Sequence, residues 1–160
     1  MSAIGAMRLV EFLFSKTYIP HEVYHELTRN GDHLPGSIEA KTYQWIVQKN
    51  VKNISQVTSL QNMARAEGDT LDPGESEAII LGKEMNAEFI IIDEDTGRTY
   101  AKREGLKPIG MLGILLKAKE ARQIDNVKNY MDLLRGAGFH LKDNLYNYVL
   151  VQAGERQDIA

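Results

Sequence analysis

Leu71-Asp72-Pro73-Gly74-Glu75-Ser76-Glu77-Ala78-Ile79, followed by Phe89-Ile90-Ile91-Ile92-Asp93-Glu94-Asp95, is the stretch on which the fold reading turns. Asp72 suits an N-cap, Pro73 the first helical position, and Glu75 the place three residues after the cap. A helix is therefore expected from 73 to about 86. Phe89 to Ile92 is a short continuous apolar run, as in a parallel strand buried on both faces. A loop of two or three residues between them would make helix and strand antiparallel neighbours. The helix start and the strand end then share one edge of the sheet, which brings Glu75 beside Asp93, Glu94 and Asp95. Ligands in open α/β sheets bind beyond the carboxyl ends of the strands. Glu75 shares a helix face with Ala78, Ile79 and Gly82, so it leans inward at the sheet rim, while Glu77 points elsewhere. The same residues also have plainer uses. Glu75 completes a capping box, and Asp93-Glu94-Asp95 before Thr96-Gly97 makes a good turn and helix start.

Outward from this stretch, helices and short strands alternate. A helix is expected from about Ala3 to Phe14, a short strand at Tyr18-Ile19, and a helix to about Arg29 with Pro20 in its first turn. Ser37 can cap a helix carrying Ile38, Tyr43, Trp45, Ile46 and Val47. Asn53 to Val57 is a strand candidate and Leu60 to Ala66 a short helix. Beyond Asp95 come a helix from Thr96 to Glu104, a strand at Lys107 to Ile109 and a helix from Gly110 to Ala121. Two last helices follow, about 126–135 and 144–152, with Asp125 and Asp143 as N-caps. The alternation predicts an α/β fold with a parallel sheet and helices on both faces.

The chain has 160 residues, enough for one domain, and 43% of them are hydrophobic. It contains no Cys, which excludes disulfides, thiolate metal sites and a cysteine nucleophile. No apolar run approaches membrane-spanning length and no leader pattern opens the chain, so a cytoplasmic protein is expected. Charge is uneven. Residues 98–128 hold eight basic and three acidic side chains, whereas residues 1–97 hold eight basic and fifteen acidic ones. Such a basic stretch can attract phosphates, although solvated helix faces have the same composition.

The quoted stretch, with Arg98 five residues after Asp93, resembles a bacterial and archaeal branch of the PIN-domain superfamily. So do Ile19-Pro20, Val23-Tyr24 and Glu26-Leu27, then Gly110, Leu112-Gly113 and Leu115 to Lys119. Near the end Gly138-Phe139, Leu145-Tyr146 and Ala153-Gly154-Glu155 match as well, giving a domain over 1–155 and a short tail at 156–160. The resemblance implies a three-layer PIN-like fold and a Mg²⁺- or Mn²⁺-dependent ribonuclease, many relatives being toxins of toxin–antitoxin pairs. It implies Glu75 and Asp93 as metal ligands and catalytic residues, Glu94 as a third catalytic acid, and Arg98 with Lys102 as phosphate or RNA contacts. Single-stranded RNA, an antitoxin-like protein and a second copy of the chain are the implied partners. The family opens with a strand ending in Asp or Asn, and Met1 to Gly5 matches the helix after it. The first strand and first acid are therefore expected to be missing, leaving neighbouring strand edges unpaired. Met111 stands where the family tends to place a small hydroxyl residue, and a thioether does not ligate a hard cation. A catalytically inert PIN-like module that binds RNA or a partner protein is the alternative.

His21-Glu22-Val23-Tyr24-His25 spells H-E-x-x-H, in which two His one helical turn apart bind zinc. No third ligand follows at the expected spacing, so a zinc hydrolase is a remote alternative. Tyr43 and Trp45 are expected as core and surface rather than as base-stacking platforms.

Overall fold

The computed structural model describes residues 6–29, 31 and 36–157. The chain divides into two compact units, residues 16–110 on one side and residues 1–15 with 111–160 on the other.

In the first unit the order is β1 (Thr17–Ile19), α2 (His21–Thr28), α3 (Ser37–Thr42), β2 (Ile46–Gln48), α4 (Ile54–Ala66), α5 (Pro73–Glu84), β3 (Ile90–Ile91), α6 (Asp95–Arg103) and β4 (Pro108–Ile109). The strands pair in parallel, as expected for α/β topology, in two ladders: β1 with β2 and β3 with β4. Thr17 lies opposite Ile46, and Ile90 opposite Pro108.

Helix α5 is the hub. It packs on α2, α4, α6 and β3. Its start has the expected capping box: Asp72 accepts from the Glu75 amide at 2.7 Å, and Glu75 accepts from the Asp72 amide at 3.4 Å. Ile79, Ile80 and Leu81 are buried with Val57, Leu60, Leu71, Ile90, Ile92, Tyr100 and Leu106 in one apolar cluster. The helix ends at Met85 and Asn86, Asn86 taking a left-handed conformation with φ 49. The connection to β3 is therefore longer than two or three residues, because Met85 and Asn86 close the helix before Ala87 donates back to the Gly82 carbonyl.

Two sequence expectations are corrected. Ile46 and Val47 form strand β2, not the end of a helix, because α3 stops at Thr42 and Tyr43 is extended (φ −81, ψ 120). Residues 54–57 open α4 rather than form a strand; Asn53 caps that helix by accepting from Gln56 N. Apolar runs this short do not separate helix from strand by pattern alone. Pro20 also sits one position earlier than expected, at the N-cap of α2, where its ring offers no capping acceptor. Glu77 of α5 fills that role by accepting from Glu22 N at 2.9 Å. Glu84 holds the segment just before α4, accepting from the amides of Lys52 and Asn53.

The second described unit is helical: α1 (Ala6–Phe14), α7 (Met111–Glu120), α8 (Val127–Gly136) and α9 (Asp143–Gln152). The part of the expected first helix before Ala6 lies outside the described residues. Helix α7 packs on α1, α8 and α9 through Ile114, Leu115 and Ala118, all fully buried. The cap of α8 is Asn126 rather than Asp125, and α9 begins at Asp143 with Lys142 before it and no side-chain cap. Glu155 accepts from Val127 N, Lys128 N and the Lys119 ammonium. Burial raises the Glu155 carboxyl, but these three donors overcome it and hold the group below its ordinary value. A depressed carboxylate stabilises the fold above its unfolded pKa and loses that contribution as pH falls through the folded value. Glu155→Ala is expected to lower unfolding stability by about 1–2 kcal/mol at neutral pH in urea titrations, with the difference from wild type shrinking in acid.

Candidate functional site

The candidate acids lie within the unit of residues 16–110, around the N-termini of α5 and α6. Glu75 is half-buried in the first turn of α5. Its carboxylate lies against Gly97, in the first turn of α6: a Cβ built on Gly97 would stand 2.7 Å from Glu75 Oε1 and 2.9 Å from Ile92 Cγ2. Only glycine permits that approach. Asp93, after β3, makes the matching contact with Gly110: a Cβ there would lie 2.7 Å from Asp93 Oδ1 and 3.1 Å from Arg98 Nη1. Glu94 is exposed at the N-cap position of α6 and makes no capping bond.

Helix α6 is held by its far side. Tyr100 is fully buried, and its hydroxyl donates to Glu67 at 3.0 Å and Asp69 at 3.1 Å. Burial first, and then these two carboxylates, push the phenol up to about 12. Arg98 is half-buried and donates from Nη1 to the Ile92 carbonyl at 3.0 Å, tying α6 to the strand end. Lys102 is exposed one turn further along α6. The basic stretch is partly neutralised within the fold, since Arg103 pairs with Glu67, Lys119 with Glu155 and Lys128 with Asp132.

Glu26 is a residue the sequence reading quoted but did not place in the site. It lies on α2, and its Oε2 is 3.4 Å from the position of a Cβ on Gly74, which Asp72 Oδ1 approaches equally closely. Burial, then Asp72 and Glu22, raise its carboxyl, against the pull of Arg29 and His25. The only local signal was its place one turn after Glu22 on a helix that packs on α5; the packing itself is non-local. Glu77 reaches the start of α2, where it accepts from Glu22 N, and Ser76 is buried with its hydroxyl donated to the Asp72 carbonyl.

These carboxylates act on one another. The Glu75 carboxyl is raised above its ordinary value, chiefly by burial, next by the Asp72 charge, and further by Glu94 and Glu26; the hydrogen bond from the Asp72 amide opposes the rise. Negative potential therefore accumulates at the start of α5, next to oxygen donors of the kind Mg²⁺ and Mn²⁺ accept. Among the described residues, no three His, Cys, Asp or Glu side chains group closely enough to hold an ion unaided. Met111, buried at 4% exposure, belongs to the other unit. His21 and His25 are exposed with no third ligand grouped beside them among the described residues, which leaves zinc-hydrolase geometry unsupported. Tyr43 is exposed and tilted on half-buried Trp45, with ring centroids 5.8 Å apart. No helix among the described residues is long and apolar enough to cross a membrane.

A raised carboxyl opposes folding when ionised, and that penalty disappears as pH falls below the unfolded carboxylate range. Glu75→Gln keeps an acceptor for the Asp72 amide but removes the charge. It is expected to raise the thermal midpoint at neutral pH, with the gain vanishing in acid; an unchanged or lowered midpoint at neutral pH counts against the electrostatic account.

A family model for DUF3368, described as a PIN domain, matches residues 1–155. No curated protein and no solved structure matches the chain.

Proposed function

Because the chain belongs to the DUF3368 family of PIN domains, we propose that it is a divalent-metal-dependent endoribonuclease acting on single-stranded RNA. The observation that supports this most is the seating of Glu75 against Gly97 and Asp93 against Gly110, two carboxylates set at the start of α6 by glycines that leave room for them. The donor set suits a hard cation, and the surplus negative charge that raises Glu75 is what such an ion would offset. Glu75 and Asp93 would hold Mg²⁺ or Mn²⁺, with water completing the shell. When bound, the ion supplies a water of lowered pKa and Lewis-acid stabilisation of the phosphodiester transition state.

The chain's own residues have separable roles in this reading. Glu94 and Glu26 add negative charge that favours the cation. The Arg98 guanidinium has five N–H donors, of which the Ile92 carbonyl takes one, so it can be oriented by the strand end while facing a phosphate. Lys102, one turn on, adds a positive charge along the path of the RNA backbone.

The lack of a ready three-ligand group among the described residues favours a second reading, a non-catalytic module that binds RNA or a partner protein. The two are separated by cleavage of a fluorescent single-stranded RNA by the full chain with Mn²⁺. The nuclease reading expects metal-dependent cleavage that falls about 100-fold or more in Glu75→Gln and in Asp93→Asn. Gly97→Ala, which leaves every charge in place but crowds Glu75 Oε1, should also slow it. RNA retention with no cleavage, or cleavage indifferent to Glu75→Gln, would overturn it.

A further inference from the structure

The acidic site makes no use of His21-Glu22-Val23-Tyr24-His25, although the structure organises its two imidazoles. His21 is the first residue of α2 and His25 lies one turn later. The rings are stacked, centroids 6.1 Å apart and planes within 18°. Both side chains are exposed, while Val23 and Leu27 are half-buried on the other side of the helix. Two imidazoles at i and i+4 on one helix face can ligate one metal ion. Imidazole lone pairs lie in the ring plane, so sharing one ion requires these exposed, near-parallel rings to turn about their side-chain torsions until both nitrogens converge on it at about 2.0–2.1 Å.

A third side chain bears on which nitrogen faces outward. The Gln48 amide, at the end of β2, approaches His21 Nδ1 at 3.4 Å. The oxygen and nitrogen of a Gln amide are exchanged by a simple flip. With its oxygen toward the ring, Gln48 accepts from Nδ1–H, and the Nε2 lone pair is then left for a metal. Metal-bound His commonly has such an acceptor on its other nitrogen.

We propose that His21 and His25 form a two-imidazole clamp on α2 for a borderline divalent cation such as Zn²⁺, Ni²⁺ or Cu²⁺, with Gln48 as a positioning residue. Imidazole ligands select these ions, whereas carboxylates and water suit Mg²⁺ and Mn²⁺. The clamp is therefore chemically distinct from the acidic site. With two protein ligands and the rest of the shell open to water, it is a brace rather than a hydrolytic centre. An ion bridging one turn to the next stabilises α2, whose N-terminus is otherwise held by Glu77 and which packs on the helix bearing Glu75.

The test is calorimetric titration of the untagged full chain with NiCl₂ at neutral pH in excess Mg²⁺, followed by histidine Hε1 signals in NMR. One saturable Ni²⁺ per chain is expected, with the signals of His21 and His25 broadening first. His21→Ala and His25→Ala should each weaken binding by more than about tenfold, and Gln48→Leu by about tenfold. Glu75→Gln and His140→Ala should leave it unchanged. Both imidazoles are exposed, so these variants test the clamp without disturbing the core. No saturable binding, binding that survives the double variant, or binding abolished by Glu75→Gln would overturn the proposal.

Discussion

The reciprocal hydrogen bonds between Asp72 and Glu75 start α5, and the unit of residues 16–110 is organised around that helix. The cap fixes where the helix begins, and so which of its residues face inward. Ile79 and Gly82 are buried as a result, and Gly82 packs tightly against Leu106, whose Cδ1 would lie 3.1 Å from an added Cβ. The carboxylate that closes the cap is also the one pressed against Gly97 and raised by its neighbours. One group thus serves the local structure while carrying a charge that the fold does not fully compensate. Such tension between stability and chemistry is common where a site is built.

The same requirement, that the first amides of a helix find acceptors, recurs through both units. Asp72 and Asn53 meet it locally. Elsewhere a glutamate from a distant part of the chain does so, Glu77 at α2 and Glu155 at α8, while Glu84 holds the two amides just before α4. These contacts join caps to tertiary structure, because the acceptor arrives only when two elements have packed. Two of the three donated carboxylates come from α5, which strengthens its role as the hub.

For function, the electrostatic picture matters more than any single ligand. Glu26, Asp72, Glu75 and Glu94 come from three helices and their caps, and the charges of the others all raise Glu75. Asp93 stands on the other side of the α6 start, beside Arg98. A cation drawn to that edge would meet hard oxygen donors and an arginine already oriented by the Ile92 carbonyl.

The sequence by itself determined the features that depend on neighbours along the chain. The α5 capping box, the apolar strand after it and the α/β alternation all rest on short-range spacing, and all are present. Tertiary structure decided the rest. Residues 46–48 became a strand because Thr17 to Ile19 supplied a parallel partner, an interaction invisible in an ambiguous Trp45-Ile46-Val47 run. Asn53 to Val57 went to a helix once Asn53 capped Gln56 N and the remote Glu84 fixed the amides just before it. Glu26 joined the acidic group only because α2 packs on α5, and Gly97 and Gly110 showed their purpose only when carboxylates lay against them. Caps and periodicity are local energies that a sequence displays directly, whereas strand partners, remote caps and charge clusters arise from distant residues that only folding brings together.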